Sequence, residues 1–290
     1  MSRRQKGSLL LLAAAFIWGT TFVAQMTGMD SLGPFSYGMC RYALGTAAVL
    51  VLWGATQSKR QRARAEGNYR SGWRVGLGAG CIMFFGTSLQ QAGMLWTTVG
   101  KASFLTCLYI VLVPLAGIFL HQRIRAENWA GAALAVIGMY FLCIQDGFTV
   151  GQGDALELLG SLFWTCHILF VGHFSRRADV IEMSAAQLFV SFALSAVMAA
   201  IFEEIAWADI RAAAFAVFYA GVMSSGVAFT LQIIGQRYAA PSEAAIIMSL
   251  EGVFGALAGA VILHETMTAA QVAGCALMLL GMIVTQRNPG

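Results

Sequence analysis

The sequence predicts an all-α membrane protein in which ten transmembrane helices form two inverted-topology five-helix repeats. Three observations lead there: a shortage of charge, a succession of apolar runs each long enough to cross a bilayer, and a second half that echoes the first. Of 290 residues, 58% are hydrophobic and 11% charged, whereas a soluble domain carries about 25% charged residues. Charge is scarce because most of the chain is suited to surroundings where charge is expensive. The formal net charge of +4 is modest, and its distribution points to a membrane surface and not to a nucleic-acid partner. The six cysteines sit singly inside apolar runs, with no C-x-x-C pair and no ligand-spaced histidine. They read as small buried hydrophobes, so no metal, disulfide framework or cofactor is expected.

A helix needs about 20 mostly apolar residues to span the hydrocarbon. Ten segments qualify: 8–27, 34–53, 73–92, 102–120, 128–145, 155–174, 182–202, 211–232, 242–263 and 267–285. The first follows Arg3, Arg4 and Lys6, as in a signal peptide. Its apolar run continues to about Thr27 without a cleavage pattern, so it reads as an uncleaved first span. The longest loop, 54–72, is basic, and no loop is long enough for a soluble domain.

Ten spans put both termini on one side. If that side is cytoplasmic, it collects Arg3, Arg4, Lys6, Lys59, Arg60, Arg62, Arg64, Arg70, Arg74, Arg123, Arg125, Arg176, Arg177, Arg237 and Arg287, which is 15 of the 18 basic residues. Only Arg41, Lys101 and Arg211 fall elsewhere, and the opposite loops carry Asp30, Asp146, Glu203, Glu204 and Asp209. The expectation is a multi-pass protein of the cell (inner) membrane, in contact with lipid, with both termini cytoplasmic.

The repeat is visible in the residues. SLQQAGMLWTTVGKA at 88–102 aligns with TLQIIGQRYAAPSEA at 230–244, an offset of 142 that pairs Leu89 with Leu231, Gln90 with Gln232 and Gly93 with Gly235. One residue of slippage later, His121 meets His264, Gly131 meets Gly274 and Gly138 meets Gly281. Trp18 meets Trp164 at an offset of 146. The repeats are residues 8–145 and 153–286. Five is odd, so the second unit enters the membrane from the opposite side. Two such units can exchange conformations and open a central site first to one face and then to the other.

Two stretches carry a specific resemblance. TVGKASFLTCLYIVLVPLAGIFLHQRI in the first half and AAPSEAAIIMSLEGVFGALAGAVILHETMTAAQVAGCALMLLGMIV in the second resemble the paired signatures of the EamA branch of the drug/metabolite transporter superfamily, and WGTTFV is similar to that family's first helix. The resemblance spans roughly residues 8–286. It implies a cavity lined mainly by the first, third, fourth, sixth, eighth and ninth helices, and export or exchange of amino acids or related metabolites. Two positions depart from the pattern. Leu250-Glu251-Gly252 stands where the family often reads LEP, and Gln122 stands where it often has glutamate, although Glu265 is kept in the second half.

Candidate substrate-binding or cavity-lining residues are the polar and aromatic groups inside spans. Glu251 lies near the middle of the ninth, where an ionised carboxylate costs at least about 2.5 kcal/mol. It must face a cavity, find a partner or stay protonated, which suits proton coupling, a cationic substrate group or a structural hydrogen bond. Arg41, in the second span, offers a fork of donors to a carboxylate, and equally a snorkelling or structural pair. Trp18 and Trp164 lie within spans and not in the interfacial belt. His167 adds a group that titrates near neutral pH. Gln90, Gln232 and Tyr109 are interhelical glue or substrate contacts, with Tyr109 the repeat counterpart of Glu251. Lys101 and Glu243, also counterparts, are candidate gates at opposite mouths or plain helix-end charges. Gly131 with Gly138, and Gly274 with Gly281, mark the fifth and tenth spans as packing helices, and the second-half glycines serve either the monomer or a homodimer.

The expected function is secondary-active transport of small metabolites by alternating access. The alternatives are a transporter of nucleotide-sugars or phosphorylated metabolites, which needs more cations in the spans than Arg41 and Lys101, and a membrane-embedded lipid enzyme, for which no catalytic dyad is seen. The chain has no phosphate-binding loop of the ATPase type, and it is not expected to be an enzyme.

Overall fold

The computed structural model describes residues 2–67, 69–97, 99–122, 124–143, 151–262 and 266–286. Arg123, Asp146, His264, Glu265 and Arg287 lie outside the described residues. Every regular element described is a helix, and extended pairing is limited to an isolated bridge between Arg70 and Ala178. In chain order the helices are α1 (Arg3–Met29), α2 (Pro34–Ala65), α3 (Trp73–Gly93), α4 (Val99–Thr106), α5 (Tyr109–Phe119), α6 (Ala126–Cys143), α7 (Gln152–Phe174), α8 (Val180–Phe202), α9 (Trp207–Ala212), α10 (Ala214–Tyr219), a π-helical segment (Ala220–Ala228), α11 (Phe229–Gln236), α12 (Pro241–Met248), α13 (Glu251–Ile262) and α14 (Ala269–Gln286).

Among the described residues eight helical stretches are long and apolar enough to cross a membrane: α2, α4 with α5, α6, α7, α8, α10 through α11, α12 with α13, and α14. Helices α1 and α3 are as long, at 27 and 21 residues, but stand outside those eight. They carry Trp18, Thr21 and Gln25, and Thr87, Gln90 and Gln91.

Helix α2 extends twelve residues past the end at 53 that its apolar run predicts, through the basic segment to Ala65. The extension is held by ion pairs. Arg60 lies 2.7 Å from Asp179, and Arg64 lies 2.7 Å from Glu182. Asp179 also caps α8, accepting from the backbone N–H groups of Ile181 and Glu182. Arg62 and Arg64 in the last turn suit the negative end of the helix dipole.

The two ends of the bundle differ in charge. At one, the Arg70 N–H donates to the Arg177 carbonyl, and the Arg237 guanidinium donates to the Ser175 and Ala178 carbonyls. At the other, the Glu203 carboxylate accepts from the Phe35 and Ser36 N–H groups and so caps α2. We call these the basic and the acidic end.

Helices α6 and α14 pack closely through glycine. A Cβ on Gly138 would stand 2.5 Å from the Gly274 carbonyl oxygen, and one on Gly131 would stand 2.7 Å from that of Gly281. Gly274 and Gly281 meet the same limits in return, at 2.5 and 2.6 Å. Hydrogen in place of a side chain lets the two backbones touch, and the second-half glycines are thereby used within the chain.

The span formed by α4 with α5 and that formed by α12 with α13 are both broken near their middle. Between α4 and α5, Leu108 N–H donates to Leu105 O at 3.2 Å and Ile110 N–H to Cys107 O at 3.0 Å. Between α12 and α13, Leu250 N–H donates to Ile247 O at 3.2 Å and Gly252 N–H to Ser249 O at 3.1 Å. These i→i−3 bonds tighten each joint into a short 3₁₀-like turn. The second joint falls at Leu250-Glu251-Gly252, so the helix bends there without the proline.

Candidate functional site

The polar residues within the helices converge on one cavity of about 660 Å³, mouth included. Its walls come from the last third of α1 and α3, the start of α2, the α4–α5 joint, the middle of α7, the π segment with α11, and the α12–α13 joint. The cavity therefore lies nearer the acidic end. Helices α6 and α14 contribute nothing to its lining.

Seven of the sequence candidates meet at this wall: Trp18, Arg41, Gln90, Tyr109, Trp164, Gln232 and Glu251. Glu251 is 9% exposed. Its Oε1 accepts from the Tyr109 hydroxyl at 3.4 Å and lies 3.6 Å from Cys107 Sγ. Gly19 lets α1 cross beside it, because a Cβ there would stand 2.6 Å from the Glu251 carbonyl oxygen.

Arg41 is 5% exposed. Its Nε donates to Ser225 Oγ at 3.2 Å and its Nη2 to Ser224 Oγ at 3.1 Å. The guanidinium lies 5.1 Å from the Tyr42 ring centroid and 5.8 Å from that of Tyr37. The π-helical winding of residues 220–228 brings two successive serines to one guanidinium, and such segments gather at functional sites. All of these partners are neutral. Among the described residues no carboxylate lies within ion-pair distance of Arg41.

The apolar wall is aromatic. Phe229 stacks on Trp164 with centroids 6.1 Å apart and a 13° tilt, and it meets Trp18 edge-on at 5.1 Å. Around it, three buried polar atoms of the wall have no hydrogen-bond partner among the described residues: Trp164 Nε1, Gln91 Nε2 and Gln232 Oε1. A buried polar group left unpaired costs about 1–3 kcal/mol, so water or a small molecule in the cavity can complete these bonds.

Three candidates fall elsewhere. His167 does not line the cavity. It is fully buried, with Nε2 3.1 Å from Gln187 Oε1 and its ring edge-on to Trp164 at 5.8 Å. The helical phase turns it away from the wall that Trp164 faces. Lys101 and Glu243 are also absent from the lining. Lys101 Nζ lies 3.7 Å from Asp154 Oδ2 on α7, and Glu243 accepts from Arg4 Nε at 3.0 and 3.1 Å. Each ties the start of one broken span to the start of a neighbouring helix. The sequence reading missed Ser224, Ser225, Thr106 and Gln91. Of these only Gln91, beside Gln90, carried a signal, since hydroxyls in apolar helices are commonplace.

Apolar helices around a cavity with polar and aromatic walls define a membrane protein with an internal pocket. The profile of the EamA-like transporter family matches this chain over residues 5–144 and again over 151–287. The chain belongs to that family, within the drug/metabolite transporter superfamily, and is a multi-pass membrane protein. Over 283 residues it is 29% identical to an uncharacterized transporter of Archaeoglobus fulgidus, covering 97% of this chain and 86% of that protein. It is 22% identical to the uncharacterized transporter YoaV of Bacillus subtilis, covering 96% of each. A solved crystal structure, 20% identical, shares the fold at a TM-score of 0.81 over 97% of this chain and 96% of that one.

Proposed function

We propose that this protein is a secondary-active transporter that moves a small carboxylate-bearing metabolite, with an amino acid the best fit, by alternating access across the cell membrane. The observation that carries the reading is Arg41: a buried cation on the cavity wall whose described partners are all neutral. A charge so placed is costly until an anion joins it, and a substrate carboxylate supplies one in bidentate geometry. Glu251 on the same wall suits an ammonium group or a coupling proton. The Trp18–Phe229–Trp164 cluster suits an apolar side chain. A nucleotide-sugar or phosphate ester calls for more cations than this wall offers, since Lys101 is engaged with Asp154 outside it.

The cycle rests on ten spans, counting α1 and α3, arranged as two inverted repeats. Reciprocal contacts support a two-fold relation, under which residue i meets the mate of j while j meets the mate of i. Gly138 meets Gly274 and Gly131 meets Gly281, and the mates are 131 with 274 and 138 with 281. Lys101 meets Asp154 as Glu243 meets Ser8, at offsets of 142 and 146. Tyr109 bonds its own counterpart, Glu251, as residues beside the axis do. The two helix joints carry the same bonds at an offset of 142. The gathering of arginines at the basic end supports a cytoplasmic location for that end and for both termini.

The test is counterflow of radiolabelled amino acids, amines, nucleotide-sugars and phosphate esters in proteoliposomes, beside a thermal-shift screen of the same panel. Exchange of amino acids with a matching shift supports the reading. Exchange limited to phosphate esters or amines overturns the substrate class.

A further inference from the structure

Six acids are buried among the described residues: Asp154, Glu157, Asp179, Glu182, Glu243 and Glu251. Four have a cation beside them. Asp154 has Lys101, Asp179 and Glu182 share Arg60 and Arg64, and Glu243 has Arg4. Among the described residues, Glu157 and Glu251 have none within ion-pair distance. These two therefore differ in kind from the acids that fasten the ends of the bundle.

Glu157, five residues into α7, is fully buried and does not line the cavity. Its Oε2 accepts from the Thr106 hydroxyl at 2.8 Å, and its Oε1 has no partner among the described residues. Glycine makes room for it. A Cβ on Gly93 would stand 2.9 Å from that Oε1, and one on Gly153 would stand 2.6 Å from the Gly93 carbonyl oxygen. The last turn of α3 and the first of α7 thus close on the acid without side chains between them.

Both cation-free acids are held by the same joint. Thr106, the last residue of α4, bonds Glu157 and also faces the cavity. Cys107 in the joint and Tyr109 at the start of α5 contact Glu251. One broken helix therefore holds two buried carboxylates, from α7 and α13, within four consecutive residues. Discontinuous helices of this kind carry ion sites in transporters.

We propose that Glu157 is a second proton-binding group of the transport cycle, connected to the cavity through Thr106 and coupled to Glu251 by the α4–α5 joint; this rests on the transporter reading above. A proton from cavity water adds to Thr106 Oγ as the Thr106 hydroxyl passes its own proton to Oε2 of the ionised carboxylate. The relay later runs in reverse and returns a proton to water, so only O–H bonds are made and broken. A cation-free buried carboxylate is costly ionised and tolerable as the neutral acid, so protonation changes how firmly the joint is held. The charged group facing Glu157 is Asp154, one turn earlier on α7, which itself pairs with Lys101 of α4. Helix α3 presents Gly93 to it, and α4 presents Thr106. Facing Glu251 are Cys107 and Tyr109.

Infrared titration of the full chain in lipid nanodiscs reads the acid without any substrate. Wild type is expected to show a protonated-carboxyl C=O band at neutral pH. The band should lose intensity in Glu157→Gln and shift in Thr106→Val. In proteoliposomes, Glu157→Gln is expected to lose accumulation driven by a proton gradient while keeping counterflow of the labelled amino acid. An infrared band unchanged in both variants overturns the proposal, as does gradient-driven accumulation that survives in Glu157→Gln. Should Glu157→Gln fail to fold, the Thr106→Val shift alone decides it, and its absence overturns the proposal. If wild type shows no counterflow at all, the substrate reading has failed, and the infrared arm still decides the proton site.

Discussion

The seam between α6 and α14 and the wall of the central cavity are built from similar helices and settle their polar atoms in opposite ways. In the seam, glycine removes every side chain that would hold the backbones apart, and Thr285 turns its hydroxyl to the Gly281 carbonyl. On the cavity wall, Arg41 has only neutral partners, and Trp164, Gln91 and Gln232 keep polar atoms unpaired. The seam packs backbone on backbone within the chain, whereas the wall has polar atoms with no partner among the described residues. Substitutions in the first should therefore damage the fold, and substitutions in the second should damage binding while sparing the fold.

The sharpest way to break that contrast is Gly138→Val. Its new carbon meets the α14 backbone at the Gly274 carbonyl oxygen and the Met278 nitrogen as well as Met278 Cγ, so the cost should reach or exceed the upper end of the about 1–3 kcal/mol typical of overpacking. Loss of monodisperse protein on size-exclusion chromatography is the expected result, and a well-folded, normally stable variant would show that α6 and α14 can separate. Next in size is Arg41→Met. Carboxylate ligands should bind more weakly by about 2 kcal/mol or more, roughly thirtyfold. The ligand-free protein should be no less stable than wild type, since removing an isolated buried charge is neutral or favourable. A large drop in its unfolding temperature would make Arg41 part of the scaffold. Arg60→Ala sits between the two classes. It weakens a fold contact at the basic end, where Arg64 still reaches Asp179 at 3.4 Å, so a loss of about 1–2 kcal/mol is expected by denaturant titration. The smallest effect belongs to Arg62→Ala. Its pair with Glu66 is exposed, and unfolding should move by no more than about 0.5 kcal/mol.

The same contrast governs what could be read from the residues alone. Glycines seven apart mark α6 and α14 as packing helices, but they fit a homodimer as well as the monomer, and only the structure pairs the two helices with each other. Glu251 was legible as a group needing an explanation, because an acid in the middle of an apolar run must face a cavity, find a partner or stay protonated. Glu157 was not, because an acid near the start of a run looks like an ordinary interfacial charge, and only the approach of Gly93 reveals that it is enclosed. Ser224 and Ser225 escaped because π-helical winding leaves no mark in a hydrophobic pattern. His167 was seen as polar, but facing the cavity or facing Gln187 is a difference of helical phase, and that is set by packing on α8. The length of α2 was hidden for an opposite reason. Hydropathy stops at the bilayer edge, while the helix is carried onward by Asp179 and Glu182, more than a hundred residues away in sequence.

The paired glycine contacts of α6 and α14 also fix the register of the two helices. Gly131 lies against Gly281 and Gly138 against Gly274, so sliding either helix by one residue would set a Cβ where only hydrogen fits. The two helices are therefore expected to move as one body.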